Sequence, residues 1–258
     1  MFVRERLGAF VGWLAAPIFG AVGRARHTRV LHPEGIVLLA RVEPIASRSG
    51  RACEAAVAER LAGPALVRFS TAIWREGKEW PDVLGCAIRF RSRDEASADP
   101  EPDDQDLLFA TIRSPWTTFL GPVGTHVHDF LANMYFATAP FDVPGVGRAK
   151  WRLVHEREAG AGTDDGDGAV DRRERLVRAI HRGAATLRLE VRCTFHAGWS
   201  PVARVVLVGV ADVDQDRLRF SPFRSGRGVR PRGFVHALRK GAYAASQATG
   251  HVQLPFRP

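Results

Sequence analysis

Short apolar runs recur along the chain between glycine, proline and aspartate residues, and most of them are β-branched or alternate with polar residues. Runs of this length and pattern are typical of β-strands, because successive side chains of a strand point to opposite faces of a sheet. The pattern predicts at least six strands, over residues 35–43, 65–70, 85–92, 107–113, 186–195 and 202–213.

The predicted strands follow one another without regular intervening helices, and no glycine-rich dinucleotide motif follows any of them. This order favours an antiparallel barrel or sandwich over a doubly wound parallel sheet. Helices are predicted over 47–61, 126–135 and 233–247. The predicted fold class is therefore α+β, with an antiparallel barrel or sandwich as its core, flanking helices and an N-terminal arm.

Two polar segments, residues 93–106 and 157–174, interrupt the apolar pattern and are predicted to be solvated loops. Both are rich in aspartate, but neither has the ligand spacing of an EF-hand or its closing glutamate. The loops therefore do not predict a calcium site.

The composition is that of a globular protein: 45% of the 258 residues are hydrophobic and 25% are charged. The net charge of +9 would favour anionic partners, yet the arginines are scattered and form no basic run or recognised nucleic-acid motif. Nucleic acid is therefore not the expected partner. Three widely spaced cysteines without a CxxC pair indicate a reducing compartment, and hence the cytoplasm.

Residues 7–23 form an uncharged apolar segment that ends before Arg24 and contains Pro17. The segment is shorter than the roughly 20 residues that span a bilayer, and it lacks a clear signal-peptide cleavage site. Residues 1–28 are predicted to be an arm that packs on the domain or on a partner subunit, and residues 29–258 are predicted to be the main domain. Attachment of residues 7–23 to a membrane surface is the alternative.

Tyr243 and Arg239 lie four residues apart on the last predicted helix and therefore on one helix face. A phenol ionises near pH 10 in water, and an adjacent guanidinium favours the phenolate. A phenolate held in this way can ligate ferric iron.

Five segments, taken in order, resemble the haem catalase family. They are RVLHPEG at 29–35, VRFST at 67–71, DVLGCAIRF at 82–90, FSP with GVRP between 220 and 231, and RKGAY at 239–243. The resemblance covers about residues 29–247, and it implies that the domain of residues 29–258 has an antiparallel β-barrel core. Because the chain is shorter than typical catalases, it resembles the reduced, barrel-only members and the catalase-related peroxidases.

The resemblance implies a haem b site and a role for each matched residue. His32 would be the distal acid–base residue, and Tyr243 the iron ligand that Arg239 keeps ionised. The other cofactor-binding residues would include two partners of the haem propionates, Arg29 and Arg68, and the pocket residues Leu31, Ser70, Gly85 and Phe119. The distal asparagine of catalases has no counterpart, and the aligned position holds Gln105 and Asp106, which are the remaining catalytic candidates.

The implied activity is oxidation chemistry driven by hydrogen peroxide or an organic hydroperoxide. Because the distal amide is changed, peroxidase turnover with a separate electron donor is preferred over efficient catalase activity, which would be weak. One alternative is rearrangement of a hydroperoxide, as in the catalase-like allene oxide synthases. Another is a non-catalytic haem- or lipid-binding protein, peripheral to the membrane. The family also implies a homo-oligomer.

A metal-dependent hydrolase is the remaining rival, and its only candidate ligands are His126 and His128. Two histidines in such positions share a face on a strand but point apart on a helix, and a helix is predicted there. Zinc is therefore not the expected cofactor.

Overall fold

The computed structural model describes residues 34–46, 52–72, 74, 77–113, 124–137, 139–156, 170–193 and 198–233. The described chain contains two helices and ten strands. The helices are α1 (Ala52–Leu61) and α2 (Arg172–His181). The strands are β1 (Gly35–Pro44), β2 (Gly63–Thr71), β3 (Leu84–Phe90), β4 (Gln105–Ala110), β5 (Tyr135–Phe136), β6 (Phe141–Val143), β7 (Gly147–His155), β8 (Thr186–Cys193), β9 (Ser200–Val210) and β10 (Arg230–Pro231).

Eight of these strands close into an antiparallel barrel. The order is β1-β2-β3-β4-β5-β7-β8-β9, and the pairing of β9 with β1 closes the ring. β6 pairs with the first part of β7, and β10 pairs with β6. Closure leaves the eight strands without free edges. The structure confirms the predicted α+β fold with an antiparallel barrel core.

Alternating residues of the strands fill the barrel. Leu38, Val67, Ile88 and Leu107 are direct neighbours across β1–β4, and all four are fully buried. The residues between them point outward, where Val37, Leu66, Ala211 and Leu218 form a second, smaller apolar cluster. The barrel wall is therefore apolar on both sides along β1 and β2.

The six predicted strands are present with ends that differ by a few residues, whereas other predicted elements are wrong. Residues 126–135 do not form the predicted helix, because the side chains of Asp129 and Asn133 bond to the local backbone. Asn133 accepts from His126 N and donates to the carbonyl oxygen of the same residue, both at 2.9 Å. Such bonds compete with helical ones. The predicted helix 233–247 lies almost wholly outside the described residues, as does the N-terminal arm.

The two predicted loops also contain regular structure. Residues 104–106, at the end of the predicted loop 93–106, are fully buried and lead into β4. Helix α2 begins inside the predicted loop 157–174, after Asp171, whose side chain accepts from the backbone nitrogens of Arg173 and Glu174. No helix in the described chain has the length and apolar character needed to cross a bilayer.

Candidate functional site

A row of very small residues crosses the outer face of β1–β4. Gly35 lies opposite Ser70, Ser70 opposite Gly85, and Gly85 opposite Ala110. Their sequence neighbours, which include Phe69 and Cys86, are buried in the barrel core, so this row points outward. The four adjacent strands thus contribute no side chain larger than a hydroxymethyl group to this row.

Arg68 lies in the next outward row, between Val37 on β1 and Ala87 on β3. Only 6% of Arg68 is exposed, so its guanidinium is a buried positive charge beside the small-residue row. The guanidinium packs across Gly35, where an added Cβ would lie 2.8 Å from Arg68 Cζ and 2.5 Å from the Phe69 carbonyl oxygen. The absence of a side chain at residue 35 therefore makes room for the guanidinium.

The structure brings three of the predicted cofactor-binding residues together: Arg68, Ser70 and Gly85. Ser70 and Gly85 are direct cross-strand partners, and Arg68 precedes Ser70 by two residues on the same face of β2. Ser70 is buried, with 4% exposed. These residues, together with Gly35 and Ala110, form the candidate site.

Gln105 and Asp106, the predicted catalytic residues, lie at the opposite end of β4 from the candidate site. They pair with Phe90 and Arg89, whereas Ala110 pairs with Gly85. Five residues of a strand span roughly 17 Å, at about 3.3–3.4 Å per residue. The structure therefore contradicts their placement beside Arg68, Ser70 and Gly85.

The polar atoms of Gln105 already bond to the protein. Its Nε2 donates to the carbonyl oxygens of Arg224 at 2.9 Å and Val229 at 3.0 Å, while its Oε1 accepts from Val229 N at 3.1 Å. Residues 218–229, called here the return segment, connect β9 to β10 and are held on β4 by these bonds. Gln105 is thus a structural residue, since a buried amide satisfied by three backbone groups has no atom left for a substrate.

Asp106 is engaged in the same way. Its Oδ1 accepts from Arg89 Nε at 3.0 Å, and its Oδ2 accepts from Ser221 N at 2.8 Å and pairs with Arg224. Burial raises the pKa of Asp106, and the two arginines oppose that rise. The carboxylate ties β3, β4 and the return segment together.

A cavity of 270 Å³ borders the candidate site at the mouth of the barrel. Gly35 lines it and also belongs to the small-residue row. Its other walls include Thr71, Phe130, Glu34, Arg172 and Arg173. Glu34 accepts from Gly77 N at 3.1 Å and lies 3.6 Å from Arg173 Nη1. The cavity can hold a small molecule between two paired charges and an aromatic ring.

His126 and His128 form no metal site in the described chain. His128 is 65% exposed and pairs through Nδ1 with Glu79, whose other oxygen accepts from Arg172 N at 2.8 Å. The one group of possible metal ligands among the described residues is Glu101, Asp103 and Asp104. Asp104 is fully buried and lies 3.7 Å from Arg91 and 3.9 Å from Arg89, so cations of the protein already balance this cluster.

The other predicted site residues lie outside the described residues: Arg29, Leu31, His32, Phe119, Arg239 and Tyr243. Conversely, sequence reasoning missed Gly35 and Ala110 as part of the site. The sequence does contain a signal for them, because a glycine or alanine stands at the same outward position of β1, β3 and β4. The strand register is needed to recognise that these positions are aligned.

No protein-family model matches the sequence, and no curated protein matches it. The fold, however, is similar to solved catalases. A fungal catalase and catalase A from Saccharomyces cerevisiae each superpose with a TM-score of 0.58, at 12% and 10% sequence identity. A bacterial catalase superposes with a TM-score of 0.55 at 15% identity.

Each superposition covers 89% of this chain, but only 62%, 62% and 59% of the respective catalase. The chain thus spans about three fifths of the length of the catalases that it matches. At these identities the likeness shows the fold alone. It establishes that the chain has the barrel fold of the catalases.

Proposed function

We propose that this chain is a haem-dependent oxidoreductase that consumes hydrogen peroxide or organic hydroperoxides as a peroxidase, with weak catalase activity. The observation that carries the proposal is the small-residue row Gly35–Ser70–Gly85–Ala110 with the buried Arg68 beside it, on the outer face of a catalase-like barrel.

The described residues fit a haem group. A planar macrocycle needs a surface without protruding side chains, and Ser70, Gly85 and Ala110 supply one across β2, β3 and β4, beside the Arg68 guanidinium that packs over Gly35. Its carboxylates need a cation, and a guanidinium stays protonated at every working pH and matches a carboxylate in geometry. Arg68 is such a group. Ala87 and Leu108, half-buried in the row beside it, add apolar contact.

The predicted residues outside the described chain would complete the site. Tyr243, kept ionised by Arg239, would bind the iron, and Arg29 would share the propionates with Arg68. When bound, haem supplies the redox chemistry of peroxide cleavage. The ring of His32 would accept the proton of the near peroxide oxygen and return it to the far oxygen, which is general acid–base catalysis.

The amides of the chain favour peroxidase over catalase turnover. The resemblance implies that a catalase orients its second peroxide with a distal amide. The chain contains no asparagine or glutamine between Gln105 and Asn133, and the amides of both are engaged in bonds to the backbone. In the small-residue row, β4 contributes only Ala110. A separate electron donor is therefore proposed to complete the cycle.

The test is to purify the protein with haem supplied, record its absorption spectrum, and follow hydrogen peroxide and cumene hydroperoxide with and without a phenolic donor. We expect a high-spin ferric spectrum that Tyr243→Phe loses, and donor-dependent turnover that His32→Ala lowers at least 100-fold. His128→Ala, at an exposed histidine, is the matched control and keeps full turnover.

Four results would overturn the proposal in whole or in part. Rapid oxygen release without a donor would replace peroxidase by catalase. A haem spectrum without peroxide consumption would leave a haem-binding protein, and conversion of a lipid hydroperoxide without a donor would indicate a rearranging enzyme. If no haem binds, the likeness extends to the fold only.

A further inference from the structure

The outer face of β7, β8 and β9 is strongly cationic. Six positively charged side chains alternate there with buried core residues such as Trp151 and Leu189. We call this set the basic face, and it consists of Arg148, Lys150, Arg152, Arg188, Arg192 and Arg204. It lies on different strands from the candidate site on β1–β4, so the sheet topology separates the two.

Two pairs of cations on the basic face lie directly opposite each other on neighbouring strands. Lys150 is the direct cross-strand partner of Arg192, and Arg188 is the direct partner of Arg204. Like charges in such positions destabilise a sheet unless something else neutralises them. The arrangement is therefore unfavourable for the isolated barrel.

Three carboxylates neutralise only part of the basic face, and one of them is Glu43 on β1, the direct cross-strand partner of Arg204. Glu190 accepts from Arg152 Nε at 2.6 Å and from Arg188 Nε at 2.7 Å, and it is almost fully buried. Glu156 pairs with Arg204 at 2.7 Å. In the described chain no carboxylate pairs with Lys150 or Arg192, which are opposite each other at the centre of the face.

The aromatic ring of Trp199 lies beside two cations of the basic face. The guanidinium of Arg152 lies 4.6 Å from the centre of the Trp199 ring, and that of Arg192 lies 4.9 Å from it. The centres of the Trp199 and Phe136 rings are 6.5 Å apart, and the guanidinium of Arg113 lies 5.4 Å from the centre of the Phe136 ring. Because two guanidinium groups already occupy the Trp199 ring, it is not available to stack on a nucleic-acid base.

We propose that the basic face docks on the surface of an anionic phospholipid bilayer. A sheet face with exposed cations suits an anionic membrane surface, which attracts basic patches electrostatically. The sequence also contains the apolar segment 7–23, which lies outside the described residues.

The test uses the full chain and vesicles of phosphatidylcholine with 30% phosphatidylglycerol, with pure phosphatidylcholine vesicles as the neutral reference. Binding is measured by co-flotation at low and high salt. Each cation near an anionic surface contributes about a fivefold gain in partitioning, so Lys150→Gln/Arg192→Gln should weaken binding roughly 30-fold at low salt. The binding of the wild-type protein should fall steeply as salt is added.

The matched control is Arg93→Gln/Arg217→Gln, which removes the same net charge from exposed arginines that lie in loops and do not belong to the basic face. It should bind within about threefold of the wild type, and thermal unfolding checks that both variants are folded. Should Lys150→Gln/Arg192→Gln fail to fold, Lys150→Gln alone, at an exposed residue, carries the comparison with an expected fivefold loss.

Equal losses in both double variants would show that only net charge matters and would overturn the proposal. Equal binding to neutral vesicles would assign membrane attachment to an apolar segment instead. Binding to duplex DNA that is tighter than binding to the anionic vesicles, and that the Lys150→Gln/Arg192→Gln variant loses, would make the basic face a nucleic-acid surface. None of these results depends on haem.

Discussion

At the scale of single residues, Gly35 and Arg68 determine the shape of the candidate site together. A Cβ at residue 35 would lie 2.5 Å from the Phe69 carbonyl oxygen, which is backbone and cannot rotate away. The same Cβ would lie 2.8 Å from the Arg68 guanidinium. A substitution at Gly35 must therefore separate β1 from β2 and displace the buried cation.

Gly35→Ala should destabilise the protein by about 2 kcal/mol, which corresponds to roughly 4–8 °C in the melting temperature of a chain of this size. Gly209→Ala on β9 is the control, because its added Cβ would meet nothing within 4 Å. Calorimetry of the two variants gives the comparison. Equal melting temperatures would contradict the close contact between β1 and β2.

Cys86 is a second residue whose chemistry follows from burial. It points into the barrel between Phe69 and Phe109, and burial raises the pKa of its thiol far above the usual range. The unfolded thiol ionises near pH 8.5, so the folded state binds one more proton above that pH. Stability linked to Cys86 is therefore present below about pH 8.5 and is lost as the pH rises.

Iodoacetamide at pH 9 should modify Cys86 only at the rate of global unfolding, which peptide mass spectrometry can follow. The stability of the wild type should fall relative to Cys86→Ala by about 1.4 kcal/mol per pH unit above pH 8.5. The unfolded protein is the control for labelling. Rapid modification of native Cys86 would show that the barrel interior is open to solvent.

At the scale of elements, the return segment and β4 stabilise one another. Gln105 bonds to Arg224 and Val229, and Gly226 packs so tightly that a Cβ there would lie 2.4 Å from the Asp103 backbone. Gly226 N also donates to the Asp104 carbonyl oxygen at 3.0 Å. These contacts join residues more than a hundred positions apart in the sequence.

Gln105→Ala should destabilise the fold by about 3 kcal/mol, because it leaves buried backbone groups of Arg224 and Val229 without partners. Its peroxide turnover per bound haem should stay near that of the wild type. Exposed Gln215→Ala is the control and should change stability by less than about 0.5 kcal/mol. A tenfold loss of turnover in a folded Gln105→Ala protein would restore Gln105 to the catalytic site.

Elements were predictable from the sequence where one periodicity dominates. The strands β1, β2, β3, β4, β8 and β9 all follow runs that were visible in the chain. Helix α2 was missed although Asp171 and Glu174 have the spacing of a helix start, because the preceding glycines and aspartates indicate a loop. β7 was missed although Ala149, Trp151 and Leu153 alternate with Arg148, Lys150 and Arg152.

At the scale of the whole molecule, the barrel could be predicted but its register could not. The order of strands follows from local patterns, whereas the small-residue row exists only because Gly35, Ser70, Gly85 and Ala110 meet in one register. Because the register was unknown, the sequence-based prediction also placed Gln105 in the site. Its position in the sequence suggested the site, but long-range pairing puts it at the other end of β4.

The most direct test concerns where haem binds. The measurement is a titration of the haem-free protein with haem, followed at the Soret band, in the wild type, Ala110→Phe and Val208→Phe. Both variants add a phenylalanine to the outer face of a strand, but Val208 lies on β9 and is 59% exposed. The wild type and Val208→Phe should bind haem tightly, whereas Ala110→Phe should bind it at least 100-fold more weakly, because the added ring would stand on the surface that haem needs. Equal affinity in the two variants, or no Soret band in the wild type, would show that haem does not bind at the small-residue row.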